Sequence, residues 1–536
     1  MKRKAGLLVL LCVILLGVGC REDTSAPPPP GPEAAMPAKE EGPFPLEETT
    51  VEGLQEAMVK GTLTSRRIAE LYLARIEALD RKGPLLHAVI ETNPEARAIA
   101  DSLDAERKAR GPRGPLHGIP VLLKDNVATA DRTTTTAGSL ALEGSIPPRD
   151  SFVAERLRAA GAVLLGKANL SEWANFRSTR SVSGWSGRGG LVRNPYALDR
   201  NACGSSSGTG AAISANFAAV GVGTETDGSI ICPSSTNGLV GIKPTVGLAS
   251  RSGIVPISHT QDTPGPMART VRDAALLLGA LASADPQDKA TSESAGKLPA
   301  DFVAGLDAGA LKGKRLGVLR GPFVGYSPKS DAVLEFALGK LKSLGAELVD
   351  PVELPHAGKY DAAEFEVLQY EFKTDLNAYL AGRPGLPVKT LADLIAFNDK
   401  NAEKEMPYFG QELFLECEKK GPLTEAKYKE ALAKARRLSR EGIDQALKSS
   451  RLDALVALSG GPAWTIDLVN GDHYLGSSTS PAAVSGYPSI TVPAGEVAGL
   501  PIGVSFFGTA WSEPKLIQLA YAFEQATKAR KVPALK

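Results

Sequence analysis

The stretch from Cys203 to Ser234, CGSSSGTGAAISANFAAVGVGTETDGSIICPS, constrains the fold more than any other part of the chain. Two Ser/Gly turns enclose a mostly apolar run, Ala211 to Val222. Small residues let a backbone turn sharply and let a second backbone or a substrate approach closely. A flexible Gly/Ser linker would not usually enclose such an apolar run, so the run reads as a buried helix leading into a strand. The turns on either side then suit a place where main-chain groups take part in chemistry.

The chain of 536 residues leaves ample room for a sizeable core around this stretch. Helix and strand signals alternate along it. Thr49 with Glu52 gives a capping-box signal, and Thr64 precedes a stripe of Ile68, Leu71, Tyr72, Ile76 and Leu79. HAVIET reads as a strand, and Glu95 to Arg110 as a charged helix. The run Ile119 to Leu123 is a buried strand that delivers Lys124 at its end, and Phe152 to Ala160, a helix, leads to the strand AVLLGKAN. Thr270 caps a helix bearing Ala274, Leu277, Leu278 and Leu281, and GKRLGVLRG and AELVD read as strands around the helix Asp331 to Leu344. Residues 356–449 are mostly helical, with amphipathic stretches Phe365 to Leu380 and Lys427 to Leu447, and read as a cap over the sheet. Strands return at LDALVALSG, PSITVPAG and PIGVSFFG before a last helix, Glu513 to Ala526. The pattern is that of an α/β layered fold with a largely buried sheet.

The N-terminus is different in kind. MKRK, the apolar run Ala5 to Val18, then Gly19 and Cys20 have the basic and apolar regions of an export signal, too short for a comfortable transmembrane helix. The segment resembles the lipoprotein signal of bacteria, in which cleavage leaves a lipidated Cys20. It departs from that signal at Gly17, where Leu is usual. Residues 21–45, with PPPPGP and EEGP, read as a disordered tether, leaving 46–536 as the folded part. The expectation is an exported, lipid-anchored protein of a bacterial cell envelope, touching membrane only through that anchor.

Lys and Arg number 61 against 60 Asp and Glu, so charge gives no case for nucleic acid or an anionic surface. Of the five cysteines, Cys12 and Cys20 fall in the signal, leaving Cys203, Cys232 and Cys417 without metal spacing. No metal and no cofactor are expected. Cys203 and Cys232 flank the two turns; an exported chain permits a disulfide between them, but two buried free thiols that simply pack are the expectation.

The five histidines, His87, His117, His259, His356 and His473, sit in no motif of a base or metal ligand, and no GxSxG elbow is present. Lysine can replace histidine as a base when desolvation holds it neutral. Lys124, at the end of a buried strand, is placed for that.

GPLHGIPVLLKDN, the stretch from Gly204 to Pro233, VGIKPTVGL, DTPGPMART, GYPSITVPAG and LPIGVSFFG together resemble the amidase signature family, serine hydrolases that use a Ser, Ser, Lys triad. The resemblance runs from about Glu47 to the last helix. It implies the amidase signature fold, a large mixed β-sheet covered by helices on both faces, with 46–536 as the amidase domain. It assigns Ser229 as nucleophile, Lys124 as base and Ser205 as the bridging serine, with a cis Gly204–Ser205 peptide. The backbone N–H groups of Thr226, Asp227, Gly228 and Ser229 match the family's oxyanion hole, where a donor is worth about 3–4 kcal/mol in the transition state. Ser206 also stands in the motif, without an assigned role.

Cys203, Asp227 and Ile231 depart from the common pattern, and with TETDGSIICP, SSTSPAAV and EFEVLQYEFKTDLNAYL they resemble the peptide amidase branch. Its members remove the C-terminal amide of peptides and release ammonia. The partners implied are an amide or amidated peptide and water. An amidase of small aliphatic or aryl amides is the alternative, and a non-catalytic surface binding protein on the same fold a more distant one. For Asp227, hydrogen bonding within its own turn is expected ahead of substrate orientation.

Overall fold

Buried apolar strands of the kind seen at PVLLK and ALVAL, every residue of which is buried, form the middle of one large sheet. In the computed structural model, which describes residues 43–297, 299 and 301–535, that sheet has 11 strands. In chain order they are β1 (Val89–Thr92), β2 (Pro120–Lys124), β3 (Val163–Ala168), β4 (Val220–Glu225), β5 (Val240–Lys243) and β6 (Thr263–Ala268). There follow β7 (Arg315–Leu319), β8 (Glu347–Val352), β9 (Ala454–Leu458), β10 (Ser489–Val497) and β11 (Leu500–Phe507). Their order across the sheet is β1-β3-β2-β4-β6-β5-β10-β11-β9-β7-β8.

The sheet is mixed. β2 runs parallel to β3 and β4, and β7 parallel to β8 and β9, while the other pairings are antiparallel. Helices flank it, as the resemblance implied. In the register of β2 and β4, Val121, Leu122 and Leu123 face Val220, Gly221 and Val222. Two neighbouring parallel strands therefore end side by side, which in α/β sheets is where sites are built.

The stretch between the Ser/Gly turns folds as read: a helix, Ser207–Ser214, leads into β4, and all eight helix residues are buried. Close approach explains its small residues. A Cβ on Gly208 would lie 2.3 Å from the Ala88 carbonyl oxygen and 2.4 Å from that of Asn169.

Helix starts follow from hydroxyl caps. Thr64 accepts from the Arg67 N–H, and Thr270 from that of Asp273. At the first helix, Val51–Val59, the cap is Thr50 rather than Thr49. Its hydroxyl accepts from the Gly53 N–H at 3.1 Å, which moves the boundary one residue from the capping-box reading.

Between β8 and β9 lie helices Asp361–Ala381, Leu391–Lys400, Ala402–Glu405, Glu412–Glu418 and Ala426–Ser449. Leu368, Phe372 and Leu376 of the first pack in one cluster with Trp173, Phe176, Val255 and Ile257. A second tie is ionic: the fully buried Arg177 pairs with Glu172 and donates to the Glu405 backbone carbonyl, and its guanidinium lies 4.4 Å from the Phe409 ring centroid. Residues 1–42, which hold the expected signal, Cys20 and most of the expected tether, lie outside the described residues. No helix among the described residues is long and apolar enough to cross a membrane.

Candidate active site

Lys124 closes β2 and is fully buried. Its Nζ lies 2.7 Å from Ser205 Oγ, 2.9 Å from Thr224 Oγ1 and 3.1 Å from the Thr224 carbonyl oxygen. Asn126 Nδ2 donates to the same Thr224 hydroxyl at 2.9 Å. Burial pushes the Lys124 ammonium down to about 7, against the opposing charges of Asp262 and Glu225. The two Thr224 oxygens can accept the two N–H bonds of a neutral amine, leaving its lone pair for the Ser205 hydroxyl. Thr224 and Asn126 were not singled out in the sequence.

The first turn holds Ser205, itself buried, after a cis Gly204–Ser205 peptide. Its carbonyl accepts from the Ser171 N–H at 3.0 Å. Ser206, which had no assigned role, accepts from the Thr224 N–H at 3.2 Å and donates to the Thr224 carbonyl at 3.1 Å. It fastens the start of the helix to the strand that supports Lys124.

The second turn follows β4 directly. Glu225 Oε2 accepts from the N–H groups of Ile230 at 2.7 Å and Ile231 at 2.9 Å, bracketing the turn that carries Ser229. Gly228 has φ of 81°, a conformation that favours glycine. Among the described residues, the N–H groups of Thr226, Asp227, Gly228 and Ser229 donate to no backbone carbonyl outside the helices and strands. Successive backbone N–H groups in a turn of this kind can face an anion.

The turns touch through the Ser206 N–H, which donates to the Ser229 carbonyl at 3.2 Å. Lys124 and Ser205 are thus joined by a side-chain contact, and Ser229 is brought to them through the backbone. The two serine hydroxyls are not hydrogen-bonded to each other here, a looseness common in unliganded sites.

This approach of the turns corrects the reading of the cysteines. Cys203 and Cys232 are not free thiols but form a disulfide, with Cα atoms 6.0 Å apart. Their separation of 29 residues concealed a contact that the folding of the two turns creates. The bridge packs against Trp464. Cys417 stays a buried free thiol, pushed up to about 12 by burial.

Glu225 accepts from the Ile230 and Ile231 N–H groups, and Asp227 lies beside the hydroxyls of Ser480 and Thr479. Burial raises its carboxyl above the usual range, opposed by the hydroxyls of Ser480 and Thr479, and one carboxyl oxygen is buried without a hydrogen-bond partner. Glu364, from the helix over the sheet, is also raised by burial and by the charge of Asp227, and accepts from Gln261 Nε2 at 2.9 Å. Two carboxyls near each other in this way favour one shared charge.

Among the described residues, His259, Glu371 and Asp375 bring possible ligand atoms within 4.8 Å of one another. Glu371 is already taken up by hydrogen bonds from Tyr428, Ser258 and Thr260, and His259 Nδ1 lies 2.8 Å from Asp375. The group ties the loop before β6 to the helix Asp361–Ala381.

A buried lysine stands against a serine beside a turn that carries a second serine, the three residues that the resemblance implied. A family model described as Amidase matches residues 67–517, and the chain belongs to the amidase signature family and is an amide hydrolase. A relative from Arabidopsis thaliana described as a probable amidase is 46% identical over 499 residues, covering 91% of this chain and 92% of its own. A relative from Schizosaccharomyces pombe is 37% identical, covering 91% of this chain and 87% of its own. The structure of native peptide amidase from Stenotrophomonas maltophilia superposes with a TM-score of 0.89 at 52% identity, over 92% of this chain and all of that one.

One expectation is overturned here. The curated relatives at 46% and 37% identity are from a plant and a fungus, not from bacteria, so the location as a lipid-anchored bacterial envelope protein is withdrawn. Cys20, on which the anchor rested, lies outside the described residues.

Proposed function

We propose that the chain removes the C-terminal amide of peptides, through an acyl-enzyme on Ser229. Lys124, as a neutral amine, accepts a proton from the Ser205 hydroxyl while Ser205 takes one from Ser229, whose oxygen attacks the carboxamide carbon. The oxyanion meets the N–H groups of Thr226, Asp227, Gly228 and Ser229. The proton returns through Ser205 to the leaving nitrogen, ammonia departs, and water hydrolyses the ester by the same path in reverse.

The observation that carries this reading is the Lys124 Nζ contact with Ser205 Oγ at 2.7 Å, in a place buried enough to bring the ammonium to about 7. A base poised there is half neutral near pH 7 and needs no histidine. Peptide substrates are supported by similarity to the peptide amidase from Stenotrophomonas maltophilia and to a peptide amidase solved in complex with the competitive inhibitor chymostatin.

Ammonia release by the full chain, assayed on C-terminally amidated di- and tripeptides beside acetamide and benzamide, tests it. Turnover of the amidated peptides is expected. Turnover of simple amides alone would overturn the peptide assignment. A serine-reactive phosphonate should label the protein, and Ser229→Ala should abolish labelling; labelling that persists would overturn the nucleophile.

A further inference from the structure

Asp262 lies just before β6, in the loop that passes behind the nucleophile turn, and is part of the wall of a small cavity lined also by Asn126, Thr224, Thr226 and Arg251. Asn126 and Thr224 are the residues that surround Lys124 Nζ. One Asp262 oxygen accepts from the Thr226 hydroxyl at 2.5 Å, and the other from the N–H groups of Ile257 at 2.8 Å and Ser258 at 2.9 Å. The following residue, Thr263, pairs across the sheet with Glu225, the carboxylate that brackets the same turn from its other end.

We propose that Asp262 is a positioning residue for amide hydrolysis: it anchors Thr226, and with it the donors presented to the oxyanion, and as a carboxylate it favours the ammonium form of Lys124. This rests on the assignment of Lys124, Ser205 and Ser229 given above. Burial pushes the Asp262 carboxyl up to about 6, so above that pH it is a carboxylate, held in one orientation by a hydroxyl and two backbone donors. An isosteric amide would keep the bulk and lose the charge.

Other charges bear on the same place. Glu225 acts on Lys124 from β4, and Arg251 acts on Asp262 from across the cavity while paired with Asp288. Asp125, next to Lys124 in the chain, is engaged instead with Lys167, Arg188 and Thr136. On the far side of the loop, His259 faces Asp375 and Glu371. Asp262 and Glu225 thus both contact the turn and act on the lysine, Asp262 through the Thr226 hydroxyl. Removing Asp262 lowers the cost of deprotonating Lys124, because an anion nearby favours the ammonium.

The test compares Asp262→Asn and Thr226→Val with the parent in kcat and KM for an amidated peptide across pH. Asp262→Asn should lower kcat about tenfold or more with KM changed less than about threefold, and should move the acid limb of kcat/KM about one unit toward lower pH. Thr226→Val keeps the backbone donor and the Asp262 charge, so kcat should fall while the acid limb stays in place. A folded Asp262→Asn protein with the parent's acid limb and a kcat within twofold would overturn the proposal. Should Asp262→Asn fail to fold, an unchanged kcat in Thr226→Val would overturn it equally. If Lys124→Ala retains parental activity, the underlying triad assignment fails, which neither of the other variants would show.

Discussion

Lys124 Nζ and Ser205 Oγ stand 2.7 Å apart at the end of β2, where no water-exposed face is available to the amine. The contact sets a direction for proton movement, since the same nitrogen is held from its other side by both oxygens of Thr224. Ser229→Ala and Lys124→Ala should each lower kcat at least about 10⁴-fold on an amidated peptide, with little change in thermal midpoint. Ammonia release and a melting curve on the same preparations check both halves.

The pH dependence follows from the amine. In the proposed mechanism the neutral form is the active one, and burial brings its pKa down to about 7. Activity as kcat/KM should therefore rise as pH increases through about 7 and then level off, the reverse of a site that needs the ammonium. A profile flat from pH 5 to 9 would contradict a titrating lysine.

The Cys203–Cys232 bridge closes a loop across 29 residues. Loop-closure entropy gives about 3–4 kcal/mol for such a cross-link. The double variant Cys203→Ser/Cys232→Ser should lose stability of that order in denaturant unfolding. Because the bridge joins the residue before Gly204 to the helix after Ser229, kcat should fall as well, measured well below the transition.

At Gly208 no side chain fits, since a Cβ would meet the oxygens of Ala88 and Asn169 at 2.3 Å and 2.4 Å. Gly208→Ala should destabilise the protein by at least about 1–3 kcal/mol through overpacking. Thermal denaturation is the measurement.

Arg177 is enclosed with Glu172 and Glu405. Taking away one member of a buried ionic group leaves uncompensated charge, at about 3–5 kcal/mol. Arg177→Ala should therefore lower the unfolding free energy by that much and loosen residues 402–412 first, which amide hydrogen exchange would register.

The parts of the fold legible in the sequence were those with a local cause. Thr64 and Thr270 cap helices because a hydroxyl placed there meets a free N–H, and the burial of PVLLK follows from its lack of polar alternation. Lys124 stood out because it ends such a run. Asp262, Thr224 and Asn126 did not, since nothing in their neighbours says that β4 and β6 bring them behind Lys124 and Ser229. The family blocks contain Asp262, within DTPGPMART, but a block does not say which residue faces the turn. The disulfide escaped for the same reason: it depends on two distant turns meeting.

The helices from Asp361 to Ser449 fall between β8 and β9, whereas Lys124, Ser205 and Ser229 all precede β5. The cover and the proposed reacting groups are thus written in separate stretches of chain, joined by the cluster of Leu368, Phe372 and Leu376 with Trp173 and Phe176, by Arg177 with Glu405, and by Gln261 with Glu364. A mutation in the cover can reshape the approach to the site while the proton path keeps its atoms in place. For laboratory evolution, the two stretches can be diversified as independent libraries, with selectivity varied in one while turnover is preserved in the other.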